Sequence, residues 1–174
     1  MTKKGYIHLY VGDGKGKTTA AAGLALRAVG WGWRVVFAQF LKGRQSGEVA
    51  ALQKLGATTV LTQTTGKFTN QMTPQELAEQ AVHSIAALDS IREMLGEGCE
   101  LLVLDEVVDA VNCGFLPLAA LLEFLHERPG QTEVVLTGRK PPPELAALAD
   151  YHTEFACRAH PYEKGVSARK GIEY

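Results

Sequence analysis

The residues Gly12-Asp13-Gly14-Lys15-Gly16-Lys17-Thr18-Thr19 carry the densest chemical signal in the chain. Glycines let a backbone turn tightly and aim several N–H groups inward at one anion. A helix opening near Thr18 adds the positive end of its dipole at the same point. Lys17 can reach phosphate oxygens, and the Thr18 hydroxyl can ligate magnesium. The segment therefore reads as a phosphate-binding loop for the triphosphate of ATP, with all of Gly12 to Thr19 as nucleotide-binding candidates. The general G-x-x-x-x-G-K-[ST] spacing would put glycine at position 11, where this chain has Val11, and the first glycine comes one residue later. The competing reading is a glycine-rich strand-to-helix turn with no ligand.

Leu104-Asp105-Glu106 closes an apolar run. If that run is a buried strand, the two carboxylates stand at its carboxyl end, where open parallel sheets bind ligands. Asp105 can hold a magnesium shell, and Glu106 can contact the metal or polarise a water. Acidic residues also end strands for ordinary capping reasons. Thr137-Gly138-Arg139 ends another run, and Arg139 offers a planar, permanently charged fork suited to oxyanions; a surface arginine is the equal alternative. Arg27 reads as a solvated helix charge. Phe40-Leu41-Lys42-Gly43 and Thr65-Gly66-Lys67-Phe68-Thr69-Asn70 leave the same sheet edge. Their phenylalanines either line a second pocket or plug the core. The basic tail, Lys164 to Gly171, is solvated by default.

The elements that position these groups follow from short apolar runs alternating with helical segments, the pattern of a parallel sheet covered by helices. Tyr6–Val11 and Arg34–Phe40 read as strands, with Thr58–Gln63 a weaker third. Thr18–Val29 is an alanine-rich helix ending at Gly30. Thr73-Pro74-Gln75-Glu76 combines a cap, a first-turn proline and a capping box, and opens a helix to about Leu95 with Leu77, Ala81, Ile85 and Leu88 on its apolar face. Leu101–Leu104 is a strand buried on both faces. Pro117 begins another helix, Glu133–Thr137 is a strand, Pro141 to Pro143 an elbow into a short helix, and Tyr151–Phe155 a last edge strand. The expectation is one three-layer α/β domain, of the P-loop NTPase-like (RecA-like) class, over residues 1–174.

Composition narrows the function classes. The chain has 174 residues, 46% hydrophobic and 21% charged, enough apolar material for a core without a staple. Its formal net charge of -1 gives no global reason to expect nucleic acid or an anionic membrane. Cys99, Cys113 and Cys157 are far apart and form no disulfide or zinc pattern, pointing to thiols in a reducing compartment. The start has no apolar signal core, and the run from Ala20 to Leu26 is too short for a membrane span. A cytoplasmic protein is expected.

Together, Gly12 to Thr19, Arg27-Ala28-Val29-Gly30, Gln39-Phe40-Leu41-Lys42-Gly43, Leu104-Asp105-Glu106, Arg128-Pro129-Gly130, Thr137-Gly138-Arg139 and the ending Lys170-Gly171-Ile172-Glu173-Tyr174 resemble the P-loop family of ATP:cob(I)alamin (corrinoid) adenosyltransferases, from about Gly5 to Tyr174. The shortened glycine loop is that family's own form. The resemblance implies a reaction in which a cobalt(I) corrinoid attacks C5′ of ATP and inorganic triphosphate leaves. Cobalt(I) is itself the nucleophile, so the enzyme must align C5′ and stabilise a highly charged leaving group. ATP is expected reversed relative to most P-loop enzymes, with its γ-phosphate deep in the loop. By matched positions, Gly12 to Thr19 and Arg139 would hold the triphosphate, Lys17 and Glu106 would act in catalysis, and Thr18, Asp105 and Glu106 would hold Mg2+. The family's Phe-x-Trp pair at the corrinoid is met here by Phe68-Thr69-Asn70, with Lys67 inserted before it, so Phe68 alone is carried over as a corrinoid contact. The sequence begins almost at the first strand, where some members are expected to carry a longer amino-terminal extension. A homodimer and a flavoprotein reductant are the implied partners. The rival readings are a P-loop ATPase or phosphotransferase, in which Glu106 orients water or an acceptor, and a nucleotide-gated corrinoid carrier or sensor without turnover.

Overall fold

The computed structural model describes residues 4–41, 46–62 and 71–173. Its frame is a six-stranded sheet made of β1 (Ile7–Val11), β2 (Val35–Gln39), β3 (Thr58–Leu61), β4 (Leu101–Asp105), β5 (Glu133–Thr137) and β6 (Tyr151–Glu154), in the order β3-β2-β4-β5-β1-β6. Every neighbouring pair runs parallel, so the expectation of a mostly parallel α/β sheet is met and exceeded. All carboxyl ends of the strands therefore share one edge. The expected strand starts and ends hold to within a residue or two, and Glu133–Thr137 is met at both ends.

The helices are α1 (Lys17–Gly30), α2 (Gly47–Lys54), α3 (Pro74–Gly96), α4 (Val107–Asn112), α5 (Leu118–Glu127) and α6 (Pro143–Leu148). They cover the sheet in two layers, each with its own core. One core joins Ala21, Ala25 and Ala28 of α1 to Phe37, Val103 and Val135 of the sheet. Alanines at this spacing share one face and let the helix backbone approach the strands closely. The other core joins Leu88, Ile91 and Leu95 of α3 and Leu121, Phe124 and Leu125 of α5 to Leu9, Leu102, Leu104, Val134 and Leu136. Central strands β2 and β4 are buried along their whole length, as strands with helices on both sides must be. Phe40 is fully buried and plugs this core rather than lining a second pocket.

The capping box at Thr73 and Glu76 forms as expected. The buried stripe of α3 is displaced from the expected one: Gln80, Ser84, Leu88, Ile91 and Leu95 face inward, while Ile85 is exposed. Gln80 is buried because its side-chain amide donates to the Thr62 carbonyl at 3.0 Å, and Ser84 donates to Gln80 O at 3.0 Å. Paired polar groups are tolerated inside. The short helices α2 and α4 were not foreseen.

Candidate functional site

The shared carboxyl edge of the sheet opens into a cavity of about 950 Å³. Asp13 to Thr19 line it from the loop, Glu106 and Asp109 from the end of β4 and from α4, and Thr137 and Arg139 from the end of β5. The predicted loop, carboxylate and arginine thus converge, although β5 separates β1 from β4 in the sheet.

The loop is built by its glycines. Gly12 and Gly16 have φ of 106° and 119°, values that L side chains resist. A Cβ on Gly14 would stand 2.6 Å from the carbonyl oxygen of Phe155, which accepts the Gly14 N–H at 2.7 Å. The Gly12 N–H donates to Arg139 O at 2.9 Å, and Gly12 itself does not line the cavity. Two loop amides thus fasten the loop to neighbouring segments. Gly16 caps α1 without any side-chain acceptor. The first amides of a helix lack partners within it and carry the positive end of its dipole, so an anion is the natural complement.

Lys17, the first residue of α1, folds back so that Nζ donates to Gly14 O at 2.8 Å. Burial, then the nearby Arg139 cation, pulls its pKa below the usual lysine value, against the pull of Asp109, Asp13 and Glu106. Lys17 and Arg139 both line the cavity, and a polyanion between them would relieve their mutual repulsion.

Asp105 is fully buried and stands behind the cavity wall. Its Oδ1 accepts from Thr18 Oγ1 at 2.8 Å and from Thr137 Oγ1 at 2.7 Å, and its Oδ2 accepts from Gln39 Nε2 at 3.0 Å. This carboxylate fixes the Thr18 hydroxyl at the edge of the loop. Glu106 faces the cavity with φ 61°, the only non-glycine residue with positive φ among those described. Thr137 Oγ1 accepts its N–H at 2.8 Å. A non-glycine residue held in this region is typical of functional sites. Thr18 and Glu106 present oxygens to the cavity of the kind that suits Mg2+, which binds through one or two protein groups together with substrate phosphates. Asp105, also expected as a ligand, stands behind the wall and holds Thr18.

Three features of the cavity were not foreseen. Asp109 lines it, and its Oδ1 accepts the N–H of Arg139 at 3.1 Å. Burial pushes the Asp109 carboxyl up, while the N–H and cation of Arg139 and the cation of Lys17 pull it down. Gly171, Ile172 and Glu173 of the tail, with His160, form another wall. Leu41, Gly47 and Glu48 extend the cavity toward α2. Arg27 is exposed, as expected. Phe68, the expected corrinoid contact, lies outside the described residues.

Comparison with known proteins gives a consistent result. The family model described as ATP:corrinoid adenosyltransferase BtuR/CobO/CobP matches residues 3–174. A corrinoid adenosyltransferase of Escherichia coli K12 is 35% identical over 179 residues, covering 99% of this chain and 87% of the relative. The corrinoid adenosyltransferase CobA of Salmonella typhimurium is 36% identical over 174 residues, with the same coverage. One of Pseudomonas aeruginosa is 32% identical, covering 99% of this chain and 85% of the relative.

Proposed function

The chain belongs to the ATP:corrinoid adenosyltransferase family, and on that premise we propose how its residues serve the transfer. It is a transferase that moves the 5′-deoxyadenosyl group of ATP to the cobalt of a corrinoid. The observation that carries the site assignment is the convergence of Lys17, Thr18 and Arg139 on one cavity at the head of α1.

In this reading the loop from Gly12 to Thr19 holds the triphosphate, with Asp13, Gly14, Lys15, Gly16, Lys17 and Thr19 around it. The substrate's cobalt(I) uses its electron pair to form the bond to C5′. The C5′–O bond breaks, and its electrons leave on the triphosphate. No protein nucleophile is needed; the protein must hold C5′ in line and meet the charge of the leaving group. Lys17 and Arg139 supply fixed positive charge. Thr18 and Glu106, with Asp105 holding Thr18 from behind, would hold Mg2+, which when bound neutralises part of the phosphate charge. Gly12 contributes by tying the loop to Arg139.

The remaining assignments belong to the same proposal. Residues 1–174 form a single P-loop adenosyltransferase domain. Phe68 contacts the corrinoid, so Phe68→Ala leaves ATP affinity nearly intact while slowing reaction from cobalt(II). The protein works as a homodimer supplied with electrons by a flavoprotein. A cytoplasmic setting suits a chain whose Cys99, Cys113 and Cys157 are all free thiols. No helix among the described residues is long and apolar enough to cross a membrane.

The test is an anaerobic assay with chemically reduced cobalamin, ATP and magnesium. The expected result is a light-sensitive alkylcobalt spectrum with one triphosphate released per adenosyl group. ADP and phosphate in place of triphosphate would favour an ATPase, and tight binding of both ligands without turnover would favour a carrier.

A further inference from the structure

The segment after β5 must deliver Arg139 to the cavity, and beyond the buried Gly138 its residues Arg139 and Lys140 are exposed. Four hydrogen bonds hold it, one of them from the Gly138 N–H to Tyr10 O at 3.2 Å. The Arg139 N–H donates to Asp109 Oδ1 at 3.1 Å, Asn112 Nδ2 donates to Lys140 O at 2.9 Å, and the Gly12 N–H donates to Arg139 O at 2.9 Å. Asp109 and Asn112 are three residues apart on α4 and so present one helix face to the turn. The fit is tight. Gly138 has φ 156°, and a Cβ there would stand 2.5 Å from Val108 Cβ and 3.0 Å from Asp109 N.

We infer that Asp109 and Asn112 form a two-point clamp on residues 139–140 that sets where Arg139 enters the phosphate cavity, making Asp109 a positioning residue for the transfer. This rests on the reading of the cavity as the triphosphate site. Arginine has a long side chain with many rotamers, so its reach is defined only if its backbone is fixed. Small displacements of a charge-bearing group at a reaction centre are expensive, about 100-fold in rate for about 1 Å. The clamp works by geometry: an acceptor at the place of Asp109 Oδ1 is required, and a negative charge there is not.

Two variants of the full chain separate geometry from charge. Asp109→Asn keeps an acceptor oxygen in place and removes the charge; Asp109→Glu keeps the charge and moves the acceptor one methylene away. Steady-state kinetics and calorimetric binding of inorganic triphosphate are the readouts. Asp109→Asn is expected to keep more of both than Asp109→Glu and Asn112→Ala, which raise the ATP KM and weaken triphosphate binding by about tenfold with the corrinoid KM unchanged. Parent-like kinetics in Asp109→Glu, with only its melting temperature lowered, would overturn the positioning role. So would Asp109→Asn being more impaired than Asp109→Glu, because charge rather than acceptor position would then be the cause. If the parent protein itself neither binds triphosphate nor releases it from ATP, the failure lies with the site reading instead.

Discussion

Lys15 Nζ lies 3.2 Å from Glu173 Oε1, joining the phosphate loop to the end of the chain across 158 positions. The same carboxylate accepts from the Arg169 backbone N–H at 2.7 Å and from its guanidinium Nη2 at 3.2 Å. Exposed ion pairs contribute little stability on their own. The consequence here is positional: the tail is folded over the loop and becomes a wall of the cavity.

The acid behaviour of that tail follows. The Glu173 carboxyl is pulled from 4.5 to about 2, first by the Arg169 side chain and then by its backbone N–H. A depressed carboxyl favours the folded tail wherever the unfolded group is already ionised, that is, above about pH 4.5. The contribution is lost as the pH falls toward 2. Side-chain carboxyl shifts followed by NMR should give a Glu173 midpoint near 2, and protease access to the tail should rise only below about pH 4.5. Glu173→Gln should remove that pH dependence, and a midpoint in the ordinary glutamate range would contradict the latch.

Lys17→Ala removes the cation at the cavity floor. The expected loss is about 2–4 kcal/mol of transition-state stabilisation, or about 30-fold to 1,000-fold in kcat/KM. The melting temperature should change little, because Lys17 is only partly buried and its one hydrogen bond is to its own loop. Near-parent adenosylation would remove the loop from the mechanism.

Thr137 is a hinge between two acidic residues. Its hydroxyl donates to the buried Asp105 and accepts from the N–H of the half-buried Glu106. Thr137→Val keeps the shape and removes one hydrogen bond from each, at a cost of about 1–3 kcal/mol in urea unfolding. Activity should fall as well, since the same hydroxyl sets the backbone of Glu106. A stability change under about 0.5 kcal/mol, the size of an ordinary surface substitution, would show that the cluster is not fixed by Thr137.

The parts of this site that were legible in the sequence are those whose signal is local. The glycines and lysines of the loop stand side by side, and Asp105 and Arg139 each end a run whose apolar character reveals a strand. Asp109 was missed because the six-residue helix that carries it is too short to show a period. The stripe of α3 was misplaced because Gln80 and Ser84 are polar by type and buried by their partners. Glu173 was out of reach for a different reason: nothing near it in the chain announces Lys15. The glycines were recognised, but only the fold shows that Gly14 is small to admit the Phe155 carbonyl.

Glu106 allows strain and chemistry to be separated. At φ 61° and ψ 16° it occupies the left-handed region, which costs an L residue about 1–2 kcal/mol. Its carboxylate faces the cavity, where the proposed role is to hold magnesium. Glu106→Ala removes the carboxylate and keeps the backbone penalty. Glu106→Gly removes both, and glycine's greater freedom in the unfolded chain returns about 0.5–1 kcal/mol of the gain. Glu106→Gly should therefore be the more stable of the two by up to about 1.5 kcal/mol in urea unfolding, while both lose activity and both require more magnesium for half-maximal rate. If Glu106→Gly were the less stable, the backbone at the end of β4 would be relaxed rather than held. If either kept the parent's magnesium dependence, the carboxylate would have no part in holding the metal.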